Sequence, residues 1–157
     1  MHIDFSPSNE IVKICMRGIP YLEKNENVDE AEKIFLEALE KTSNDFEKYL
    51  VSYFIARSKT DINEKLEWFE KTFQIATTID DVAVKSAIPL LYNHFSYCYA
   101  KLQDDKNCEK YHKLYKESDV LAGETGPFYH GTKAELKIGD LLLANEYSNY
   151  KENLQMN

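Results

Sequence analysis

"DEAEKIFLEALEKT", residues 29–42, decides how this chain is read. Ala31, Phe35 and Ala38 stand four and three residues apart, so they share one face of a helix, small–large–small. The stretch "EKLEWFEKTFQIA", residues 64–76, repeats the arrangement with Lys65, Phe69 and Thr72. Each of the three pairs 31/65, 35/69 and 38/72 is 34 residues apart, and under the same shift Ile34 becomes Trp68 and Leu39 becomes Phe73.

A 34-residue period is that of the tetratricopeptide repeat, and residues 10–118 resemble such an array. The resemblance implies units of two antiparallel helices. Small residues let the helices approach, and a large aromatic fills the gap between them. It also implies a concave groove, lined by the first helix of each unit, that holds a protein or peptide partner. In "NHFSYCYAKLQDDKNCEKYHKLY", residues 93–115, a third unit places Cys108, His112 and Tyr115 at the triplet positions. Its offset from the second unit is 43 residues, so nine extra residues fall around "TTIDDVAVKSAIPLL", residues 77–91, lengthening a helix or its loop.

The punctuation predicts six helices, near 9–24, 29–41, 44–58, 61–78, 83–102 and 105–118. Ser6-Pro7 suits a cap followed by a first helical position. Asp29 with Glu32, Asn44 with Glu47, and Asp61 with Glu64 have the cap-plus-three spacing. Pro20 and Pro89 fall inside two helices and should kink them or mark their starts. The expected fold is all-α, an antiparallel helix-pair array with a short irregular or β tail. The expected division is a helical domain at 1–118, a linker at 119–125, and a distinct segment at 126–157.

A net charge of −8 disfavours nucleic acid, whose phosphates call for clustered Lys and Arg. No apolar run is long enough to span a bilayer, and the N-terminus shows no basic and apolar signal pattern. Three cysteines at uneven spacing form no disulfide framework, so a reduced, cytoplasmic setting is expected.

The helical part carries no Gly-rich phosphate loop, nucleophile elbow or His-Glu-x-x-His, and no catalytic residue is assigned there. His94/Cys98 and Cys108/His112 are two i,i+4 pairs on neighbouring helices, formally a zinc set. They lack a Cys-x-x-Cys loop and occupy positions the repeat uses for packing, so no metal is expected. Tyr49, Tyr53, Phe54, Tyr92, Phe95 and Tyr99 read as core.

The last segment is of another kind. After a Gly- and Thr-bearing stretch, "GPFYHGTKAELKIGDLL", residues 126–142, reads as a short strand at 128–130 entering a turn at Gly131. It resembles the opening of the rifamycin ADP-ribosyltransferases, which inactivate rifamycin antibiotics with NAD. Tyr129-His130-Gly131-Thr132 is also similar to the first motif of the diphtheria-toxin-like ADP-ribosyltransferases. The likeness continues through Gly139-Asp140-Leu141-Leu142 and Ser148-Asn149-Tyr150, and departs at Leu143-Ala144-Asn145, where the family tends to have a Pro-Gly turn.

The resemblance implies that Tyr129, His130, Gly131 and Thr132 bind NAD. His130 would contact the ribose beside the nicotinamide, the Gly131 backbone would hold the nicotinamide amide, and Thr132 would support the turn. It also implies a nicotinamide-stacking Tyr and an acidic residue on later strands, which the 157 residues do not include. The expectation is therefore an interaction module joined to an incomplete transferase segment, not catalytic and without cofactor as this chain. The alternative is an NAD-dependent enzyme inactivating rifamycins in a complete form.

Overall fold

A computed structural model describes residues 5–24 and 27–125, with side chains described as far as Ser118. Six helices follow one another: α1 Glu10–Glu23, α2 Val28–Glu40, α3 Asp45–Ser58, α4 Ile62–Thr78, α5 Val82–Lys101 and α6 Asp105–Thr125. The fold is all-α among these residues. No helix among them is long and apolar enough to cross a membrane. The expected tail at 126–157 lies outside the described residues.

Each helix starts where a short polar side chain takes up its first free N–H groups. Asn9 Oδ1 accepts from Ile11 N at 2.8 Å and Val12 N at 3.1 Å, and Asn27 accepts from Glu30 N at 3.3 Å. Asn44 accepts from Glu47 N at 2.9 Å, Asp61 from Asn63 N at 3.0 Å, and Asp81 from Ala83 N at 2.7 Å. Asp104 accepts from Asn107 N at 3.1 Å to open α6.

Two expected starts are corrected. Asn9, not Ser6 with Pro7, caps α1, and Asn27, two residues ahead of Asp29, caps α2. Neither internal proline marks a start. Pro20 sits in the last turn of α1, and Pro89 stands mid-way along α5.

The predicted triplets meet the core. Ala31, Phe35 and Ala38 are fully buried, and Phe69 and Thr72 repeat that burial in α4. At the remaining position Lys65 is half-buried, its ammonium donating to the Arg57 carbonyl at 3.0 Å. Phe35 stacks on Phe54 of α3, ring centroids 5.1 Å apart.

Each helix packs on the next along the chain, and α1 also meets α3. The helix ends report alternating directions. Lys41, just past the end of α2, reaches Glu10 at the start of α1 (4.0 Å), and Lys59, just past α3, reaches Glu32 near the start of α2 (2.6 Å). Asn9 and Glu47, at the starts of α1 and α3, are joined at 3.1 Å. Helix α3 lies between the others and exposes only Asp45 and Lys48.

The extra residues of the third unit are absorbed as helix. α4 and α5 have 17 and 20 residues, against 13 and 14 in α2 and α3. The stripe that α6 lays on its neighbours differs from the expected one. His112 is exposed, while Tyr111 packs against Tyr92, Phe95 and Tyr99. Of the expected triplet, Cys108 and Tyr115 are half-buried, as are their neighbours Asn107 and Leu114, and only His112 is exposed, its place against α5 taken by Tyr111. Residues 119–125 continue α6 as helix, where their composition suggests an irregular linker.

Candidate functional site

Tyr129, His130, Gly131 and Thr132 lie outside the described residues. What the described part offers is the helix leading to them, a polar cluster in its core, and its surface.

The core cluster joins α3, α4 and α5. His94 Nε2 and the Tyr53 hydroxyl are 3.0 Å apart, both side chains buried. The imidazole lies flat on Phe69, with centroids 4.1 Å apart and planes 15° apart, and the Tyr53 ring meets it edge-on at 5.5 Å. Arg57 stands 5.9 Å from the Tyr53 ring and Lys65 6.0 Å from that of Phe69, so cations border the cluster from α3 and α4. A hydroxyl and an imidazole that satisfy each other inside an aromatic wall hold three helices in register.

The four zinc candidates are not brought together. His94 is engaged with Tyr53, Cys98 is buried, and Cys108 Sγ sits 3.6 Å from Ser96 Oγ. His112 points to the surface. Among the described residues no group of three or more His, Cys, Asp or Glu side chains could hold a metal. Burial pushes the Cys15 thiol up to about 12, so it stays protonated and is no nucleophile.

Two polar knots fasten the helix ends. Glu47 is buried, which pushes its carboxyl up, but hydrogen bonds from the Ser43 N–H, the Asn9 amide and the Ser43 hydroxyl outweigh this and hold it below the usual range. Glu32 and Glu64 flank Lys59, at 2.6 and 3.5 Å, and the hydrogen bond to Glu32 chiefly holds its ammonium above the ordinary value.

The first helices of the units differ in what they expose. Helix α3 is closed over, so exposed apolar groups on α1, α3 and α5 are confined to α1, with Met16 and Tyr21, and α5, with Val82 and Tyr97. Spacing alone did not reveal the Tyr53–His94 pair, since its members are 41 residues apart and belong to different units.

A family model described as rifampin ADP-ribosyl transferase matches residues 128–157. The match contains Tyr129-His130-Gly131-Thr132 and lies wholly beyond α6. No curated protein and no solved structure matches the chain.

Proposed function

We propose that residues 128–157 form the opening of a rifamycin-type ADP-ribosyltransferase domain, and that the six helices are a protein- or peptide-interaction module ahead of it. The supporting observation is the rifampin ADP-ribosyl transferase match, which contains the Tyr-His-Gly-Thr run.

In this reading His130 contacts the ribose beside the nicotinamide of NAD. Gly131 admits the nicotinamide amide to its backbone because no side chain intervenes. Tyr129 and Thr132 hold the strand and turn that present these two. A substrate hydroxyl attacks the anomeric ribose carbon, the bond to the nicotinamide nitrogen breaks with its electron pair leaving on the ring, and the hydroxyl proton goes to solvent. The protein's contribution is positioning and stabilisation of the oxocarbenium-like charge. Thirty matched residues cannot enclose a dinucleotide, and a lone strand cannot satisfy its own backbone groups. Activity therefore belongs to a form in which further strands of the domain are present, working in a cytoplasmic setting where NAD is available.

The tetratricopeptide-like reading of the helices is supported by equivalent burial of Phe35 and Phe69, and of Ala38 and Thr72, at 34-residue spacing. In this reading the partner meets the exposed apolar side chains of α5, Val82 and Tyr97, more than α3, which exposes only Asp45 and Lys48.

The test is incubation with NAD and a rifamycin, reading nicotinamide release and the mass of the drug. The 157-residue chain is expected to leave the drug unmodified. A protein carrying a complete domain is expected to add ADP-ribose and to lose that activity on His130→Ala. Nicotinamide release by the 157-residue chain alone would overturn the incomplete-domain reading, and full activity of the His130→Ala protein would overturn the assigned role.

A further inference from the structure

Three of the five large hydrophobics exposed among the described residues lie on α1 and α2: Met16, Tyr21 and Leu36, at 43, 41 and 39%. Exposed charges of both signs surround them: Glu10, Lys13, Arg17 and Glu23 on α1, with Lys24 just past its end, and Asp29, Lys33, Glu37 and Glu40 on α2. The two outer faces adjoin, since Glu10 reaches Lys41 at 4.0 Å and Arg17 lies within Coulombic reach of Glu37.

Most charges here are answered within the chain. Lys33 pairs with Glu30 at 3.5 Å, and Lys41 with Glu37 at 3.0 Å. Four are not: the side chains of Lys13, Lys24, Asp29 and Glu40 have no hydrogen-bond or ion-pair partner among the described residues. These four are regularly spaced. Lys13 to Lys24 and Asp29 to Glu40 are equal separations of eleven residues, which is about three turns and about 16 Å, so each pair stays on one face of its helix.

We infer that the outer face of α1 and α2 binds a second copy of this chain, α1 of each copy lying on α2 of the other. An isologous contact requires one surface to complement itself. Unanswered cations on one helix and unanswered anions on its neighbour, at equal intervals, meet that requirement. The two helices already run in opposite directions at a common level, with Gly18 beside Phe35 and Glu10 beside Lys41. A two-fold axis parallel to them sets Lys13 against Glu40 of the second copy and Lys24 against its Asp29. Met16 then falls next to Leu36 across the contact. The inference stands apart from the reading of residues 128–157.

Sedimentation equilibrium of the full chain tests it, with two charge-reversed variants. One carries Lys13→Glu and Lys24→Glu, the other Asp29→Lys and Glu40→Lys, and circular dichroism checks that both keep their helices. The wild type is expected to be dimeric at about 100 μM. Each variant alone places like charges opposite one another and should dissociate at least about tenfold more readily. Their equimolar mixture restores opposite charges at both contacts and should form a heterodimer. A monomeric wild type at that concentration, dimers of either variant as tight as the wild type, or two folded variants that fail to associate on mixing would each overturn the inference.

Discussion

Gly18 lies directly against the ring of Phe35. A Cβ added to the glycine would come 2.6 Å from Phe35 Cζ. The ring has little room to yield, being fully buried and stacked on Phe54. Alanine is the better helix former by about 1 kcal/mol, but overpacking a filled core costs about 1 to 3 kcal/mol. Gly18→Ala is therefore expected to lower stability in denaturant unfolding, against its helix propensity. Adding Phe35→Leu, which shortens the opposing side chain, should recover part of the loss.

Tyr53 and Tyr49 are both buried on α3, yet only one has a visible use for its hydroxyl. That of Tyr53 meets His94 Nε2 at 3.0 Å, whereas that of Tyr49 has no hydrogen-bond partner among the described residues, and burial alone drives its phenol upward. Removing one member of a buried hydrogen bond strands the other at about 1 to 3 kcal/mol, while removing an unpaired hydroxyl forfeits no bond. Tyr53→Phe is expected to be destabilising by that amount, and Tyr49→Phe to be neutral or stabilising. Thermal melts of the two variants side by side check the contrast.

Why some of this was legible beforehand follows from the range of the forces involved. Caps and helix lengths are local. Asn44 with Glu47 and Asp61 with Glu64 announced α3 and α4 by spacing alone, and both asparagine and aspartate are seen accepting the expected bond. Asp29 has a glutamate three residues on, but so does Asn27, and it is the Asn27 side chain that accepts from the Glu30 N–H. On α6 the expected triplet fails at its middle member alone, His112 being exposed while Cys108 and Tyr115 are half-buried. Tyr111 is drawn in by the rings of Tyr92, Phe95 and Tyr99, a matter of what α5 presents rather than of spacing on α6. The Tyr53–His94 pair depends on how α3 and α5 meet, which no repeat period encodes. The run from Tyr129 to Thr132 was readable only as a likeness, and the family match falls on the same residues.

Gln103 ends α5 in the left-handed region, with φ of 58°. The bonds around it form a Schellman motif, Asp104 N donating to the Tyr99 carbonyl at 2.9 Å and Gln103 N to that of Ala100 at 3.1 Å. Glycine takes this conformation without the steric cost a Cβ brings, about 1 kcal/mol. Gln103→Gly should therefore raise the midpoint of thermal unfolding, where glycine elsewhere in α5 would lower it.

Glu47 makes stability depend on acid in a definite direction. Its carboxylate takes hydrogen bonds from Ser43 and Asn9, and its folded-state value lies below the ordinary 4.5. A carboxyl held low in the folded state binds its proton more readily once unfolded, so its stabilisation is fully present above the unfolded value. That contribution is lost as pH falls from there through the depressed folded value. Glu47→Gln keeps the shape but not the charge, and charge-assisted bonds of this kind are worth about 2 kcal/mol. The variant should be less stable than the wild type near neutrality by about that much, and the gap should narrow steadily below about pH 4.5. Urea midpoints of both proteins across the acid range measure the gap. A difference that stays constant with pH would show that the loss comes from packing rather than from the carboxylate's charge.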